Sequence, residues 1–74
     1  MYFIARGSVN GYQVFVLIRV EAEEDKILSK ASSFAAGIFC DMGGICDEVH
    51  EILSADISEL SRILNIKCYF DFTE

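Results

Sequence analysis

The dipeptide Asn10-Gly11 constrains this chain more than any other feature. It separates two runs rich in β-branched and aromatic residues, YFIARGSV and YQVFVLIRV. Both central positions of a type I′ turn need φ > 0, which Asn and Gly tolerate best, and that turn twists in the same sense as the strands it joins. Residues 2–20 are therefore predicted to form one β-hairpin whose register the short loop fixes. Val9 is expected opposite Tyr12, Gly7 opposite Val14, Ala5 opposite Val16 and Phe3 opposite Ile18. Opposed residues share a face, so this face is apolar apart from a tyrosine hydroxyl. The other face pairs Ser8 with Gln13, Arg6 with Phe15, Ile4 with Leu17 and Tyr2 with Arg19. A slip of one residue would exchange the two faces.

The acidic stretch Glu21-Ala22-Glu23-Glu24-Asp25 suits the positive N-terminal end of a helix. Ile27, Leu28, Ala31, Phe34, Ala35, Ile38, Phe39 and Met42 then fall on one helical stripe. Gly43-Gly44 should end that helix, because glycine takes the left-handed conformation that closes helices. The side opposite the stripe is small and uncharged: Ser29, Ser33, Ala36, Gly37 and Cys40.

Residues 45–64 admit two readings. Ile45, Cys46, Val49, Ile52, Leu53, Ile57, Leu60, Ile63 and Leu64 share a helical stripe, which favours a second helix interrupted near Ser54-Ala55-Asp56. Asp56 with Glu59 resembles a capping box, so a short helix can start there. In the alternative, residues 45–53 are a strand and the order becomes ββαβαβ. Asn65 can cap the helix end, and Ile66, Cys68, Phe70 and Phe72 alternate with polar neighbours through Thr73 as a half-buried strand. The favoured architecture is one α+β domain over residues 1–74: ββααβ, a three-stranded antiparallel sheet with Gln13–Val20 central and both helices on one face. Its mixed face, with Tyr2, Ile4, Arg6, Phe15, Leu17, Arg19 and Tyr69, is expected to be uncovered.

Composition bounds the function. A chain of 74 residues buries only about 60% of its unfolded surface, yet 53% of these residues are hydrophobic. That excess points to a partner surface. Residues 1–20 hold two Arg and no acid, +2, whereas residues 21–74 hold twelve acids and four bases, −8. Such a balance argues against nucleic acid and favours a basic protein partner. No apolar run reaches the ~18 residues of a membrane span, and no membrane partner is expected. The opening Met-Tyr-Phe-Ile lacks a signal-peptide pattern, and three cysteines do not make a closed disulfide framework. A cytoplasmic setting is expected, the host cytoplasm for a viral protein.

No catalytic or cofactor motif is present, so the chain is read as a non-enzyme without cofactors. Cys40, Cys46, His50 and Cys68 have the residue types of a zinc site but no finger spacing. Cys46 and His50 would touch on a helix, and a thiol or metal site there is the least favoured alternative. Asp47, Glu48, Glu51 and Glu59 would form an acidic ridge on the second helix, suited to Lys and Arg. Aromatics beside Arg6 and Arg19 on a sheet also match the chemistry of RNA-binding sheets, against the prevailing charge. Size, acidity and an uncovered surface make the chain similar in general character to small phage-type inhibitors, anti-CRISPR proteins included, with no motif in common. The expected function is a protein-binding inhibitor or modulator that occupies a basic surface of a nucleic-acid-handling complex. Its expected contact residues are the seven of the mixed face with Asp47, Glu48 and Glu51. The alternative is a homodimeric module joined through the mixed face or the Ser29–Cys40 helix face.

Overall fold

A computed structural model describes residues 1–64, 66 and 68–72. Strands β1 (Tyr2–Val9) and β2 (Tyr12–Val20) form the hairpin in the predicted register throughout. Asn10 and Gly11 both hold positive φ, 53° and 83°, as the primed turn requires. Met1 extends the ladder: its amino nitrogen donates to Val20 O at 2.8 Å, and Val20 N–H donates to Met1 O at 2.9 Å.

Helix α1 (Ile27–Asp41) buries Ile27, Ala31, Ala35, Ile38 and Phe39 of the expected stripe; Phe34 and Met42 are half-buried, and Leu28, also expected there, is exposed. It ends at Gly43, whose φ is 77° and whose N–H reaches Cys40 O at 3.0 Å. Its buried residues meet Phe3, Ala5, Val16, Ile18 and Val20 in one core. The ring of Phe39 lies against Gly7, where a Cβ would come within 2.7 Å of it. A glycine at that point of the strand lets the helix approach closely.

Residues 44–52 are a strand, β3 (Gly44–Ile52), antiparallel to β1. The expected interrupted helix over 45–64 is thus corrected, and the element order is the alternative ββαβαβ. A bulge explains the misleading pattern. Arg6 pairs with Glu48 and Gly7 with Cys46, leaving Asp47 as the extra residue. Cys46 and Val49 face the helix side on either side of it, three residues apart, a spacing that mimics a helix.

After a 3-10 turn at Ser54–Asp56, helix α2 (Ile57–Leu64) starts where the Asp56–Glu59 pattern placed a helix start. Strand β4 (Cys68–Phe72) pairs with β2, and the pairing is parallel. The sheet has four strands in the order β3-β1-β2-β4, not three in an antiparallel arrangement. The expected cap at Asn65 and the alternation through Lys67 and Thr73 lie outside the described residues.

The two helices differ in their share of the core. No side chain of α2 is buried, and none packs against the core under α1. Two helices on one face is therefore replaced by α1 alone. Two crossovers, β2–α1–β3 and β3–α2–β4, run in opposite directions across the sheet. Both are right-handed only if their helices lie on opposite faces. No helix among the described residues is long and apolar enough to cross a membrane.

Candidate functional site

The register sets the mixed face out as a grid. His50, Ile4, Leu17 and Tyr69 form its middle row. Glu48, Arg6 and Phe15 lie on one side of it, and Ile52, Tyr2, Arg19 and Asp71 on the other. Ile4 and Leu17, expected as an accessible apolar centre, are each only 6% exposed. They stand outside the core beneath α1, so the sheet buries apolar surface on both sides. This corrects the expectation of an uncovered face. Tyr2, Arg6, Phe15 and Arg19 are half-buried, and Tyr69 is exposed.

Both arginines of this face are held by carboxylates. Arg6 Nη2 lies 3.0 Å from Glu48 Oε2, and His50 Nε2 lies 3.1 Å from the same oxygen. The hydrogen bond from His50, and then the charge of Arg6, hold the Glu48 carboxyl below its ordinary range. Arg19 reaches Asp71 Oδ2 at 3.5 Å and Glu21 Oε1 at 3.6 Å, and its guanidinium carbon lies 5.9 Å from the centre of the Tyr2 ring. Tyr69 donates to Asp71 at 3.5 Å. Partial burial and the charge of Asp71 raise its phenol above the usual range. The two cations that an RNA-binding sheet would offer to phosphates are thus already engaged.

The acids do not form a ridge on one helix. Asp47, Glu48 and Glu51 are exposed along β3 at the sheet edge, whereas Glu59 belongs to α2. Asp47 and Glu51 make no ion pair among the described residues. Asp47 is the bulged residue, and the alternation beyond it sets Glu51 opposite Phe3 on the helix side of the sheet, where it is nonetheless exposed at the edge.

Cys46 faces the helix side of β3 and His50 the other face, so the two cannot act as a pair. Burial and then the charge of Asp47 push the Cys46 thiol up, away from the thiolate that nucleophilic work needs. Cys40 is exposed on α1, and Cys68 lies on β4, separated from Cys46 by β1 and β2. No group of three or more His, Cys, Asp or Glu converges among the described residues.

Two features escaped sequence reasoning. Phe34 stacks on Phe72 at 4.1 Å with the rings 6° from parallel, under a cleft of about 350 Å³ rimmed by Glu21, Glu23, Lys26 and Lys30. Mixed charges around an aromatic floor favour no single ligand. The other is β3 itself, whose outer backbone pairs with no strand among the described residues; the bulge hid it from the periodicity. Ser29, Ser33, Ala36, Gly37 and Cys40 are all exposed on the outer side of α1. The chain matches no family model, no curated protein and no solved structure.

Proposed function

We propose that this chain is a non-enzymatic acidic module that binds and occupies a basic surface of a nucleic-acid-handling protein, in the general manner of phage-type inhibitors such as anti-CRISPR proteins. One observation carries the reading: the sheet's arginines are consumed by internal ion pairs while Asp47 and Glu51 stand exposed and unpaired among the described residues. What the surface offers a partner is negative charge, which steers association with a basic patch and repels phosphate backbones. Tyr2, Phe15 and Tyr69 supply aromatic contact beside it. Ile4 and Leu17 lie too deep to join them. The cytoplasm is the setting proposed, of a host cell for a viral protein.

The test is capture of a partner on the immobilised chain, with salt and charge as variables. The reading expects a specific basic protein whose retention falls steeply with salt and weakens in the Asp47→Lys, Glu51→Lys double variant. Retention that ignores both salt and charge reversal refutes it. The exposed, uncharged outer side of α1 favours a second reading, a homodimeric module. Light scattering decides that: a dimer that persists on dilution replaces the first reading, and a monomer removes the second.

A further inference from the structure

Among the described residues, strand β3 is the longer edge of the sheet, nine residues against five for β4. Natural proteins blunt such edges with short strands, lysine, proline or bulges, because unpaired N–H and C=O groups recruit further strands. β3 is neither short nor interrupted by lysine or proline, and one bulge at Asp47 is its single backbone irregularity. Its protection is charge: Asp47, Glu48 and Glu51 lie along it. That protection is selective. A second copy aligned on β3 would set acids against acids, and like charges across a strand pair destabilise it. A strand bearing Lys or Arg would meet opposite charge at the same positions.

From this we infer that β3 is a docking edge for an extended, Lys- or Arg-bearing segment of a protein partner, which adds to the sheet as a further strand. Backbone hydrogen bonds along the free side supply the register, and side chains on alternate faces supply recognition. On one face the added strand passes Ile45, Glu48 and His50; on the other it passes Val49 and Glu51. Ile45, 69% exposed, offers an apolar contact beside the acids. Glu48 is shared with Arg6 at 3.0 Å, which leaves Asp47 and Glu51 as the carboxylates free to pair. A segment alternating basic and apolar residues fits this edge best. The inference rests on the acidic-module reading and specifies the surface it uses and the partner's conformation.

The experiment titrates the isotope-labelled full chain with a peptide of alternating Lys and Val as long as β3. Two controls accompany it: the same peptide methylated on alternate backbone nitrogens, and an alternating Glu–Val peptide. The expected result is amide shifts and slowed hydrogen exchange concentrated in Gly44–Ile52. Methylation of the peptide's hydrogen-bonding nitrogens should weaken binding about tenfold or more, and the Glu–Val peptide should not bind. Because the decisive changes are made in the peptide, no outcome depends on a variant's folding. Salt-sensitive binding that tolerates methylation, or that perturbs another surface, overturns the edge inference and leaves the acidic-module reading standing. Equal binding of the Lys–Val and Glu–Val peptides overturns both. Protection of Gly44–Ile52 by self-association without peptide makes a second copy the occupant and overturns the inference.

Discussion

The two faces of the hairpin are built from the same two strands and buried in different ways. Beneath α1, Phe3, Ala5, Val16, Ile18 and Val20 meet a long helix and form a continuous apolar core. On the other face, burial shrinks to Ile4 and Leu17, ringed by charged and aromatic side chains that pair with one another. The first face holds the fold together. The second contributes two buried residues and spends its remaining positions on ion pairs. Apolar burial and ion pairing are thus divided between the two sides of one hairpin, with the acidic edge β3 beside both.

The largest effect that can break this division is expected at Phe39. Its ring is fully buried against Gly7. Phe39→Ala should cost about 3–5 kcal/mol, a large share of the roughly 5–15 kcal/mol available to a small domain. Denaturant unfolding measures it. A cost near zero would mean that α1 does not seat on β1 in solution. Leu17→Ala comes next, at about 2 kcal/mol, the low end for a buried leucine. Phe15→Ala, half-buried on the same face, should cost about 1 kcal/mol. Should Leu17→Ala leave the unfolding midpoint unchanged, the second face is open and the two faces differ more than the structure shows.

How much was legible in the sequence follows the same division. Asn10-Gly11 dictated the turn, its register and both faces, because a two-residue primed turn leaves the strands no other alignment. α1 was legible because its stripe is long and ends at Gly43. β3 was not: the extra residue Asp47 breaks the period of two, and Cys46 with Val49 then reads as a helical repeat. Pairing with the otherwise open edge of β1 overrides that local pattern. The parallel pairing of β4 follows from the missed strand, since a chain that leaves β3 and crosses the sheet arrives running the same way as β2. Burial of Ile4 and Leu17 was hidden as well, because β3, which places His50 opposite Ile4, was absent from the favoured arrangement. Of the candidate site, the exposure of Asp47, Glu48 and Glu51 follows from their charge, whereas their place on a strand follows only from the bulged pairing with β1.

A smaller effect tests what lies over the second face. α2 buries no side chain, yet Ile57, Leu60 and Leu64 are half-buried. If α2 is the cover that the handedness of its crossover calls for, Leu60→Ala and Leu17→Ala remove parts of one contact. A double-mutant cycle should then show a coupling of about 0.5 kcal/mol or more. Leu60→Ala alone should cost about 1 kcal/mol. Strict additivity would detach α2 from the sheet and leave Ile4 and Leu17 shielded by the grid of side chains around them.

The smallest effect, and the most specific to the polar half of the comparison, is the pH dependence of Glu48. His50 and Arg6 hold its carboxyl below the ordinary range in the folded chain. A depressed folded value means that the unfolded chain takes up the proton first as pH falls. The stabilisation is therefore complete above the ordinary carboxylate range and is lost as pH falls through the lower folded value. Glu48→Gln cannot titrate. Its melting temperature should lie slightly below that of the parent at neutral pH, and the two should converge as the solution is acidified. The gap is small because Glu48 and His50 are exposed to solvent and Arg6 is only half-buried, and screening there weakens ion pairs. Added salt should shrink it further at neutral pH. Parallel melting curves across the acid range would show that Arg6, Glu48 and His50 do not hold together in solution. Arg6 would then be free to meet an anion, and the charge assignment of this face would have to be reversed.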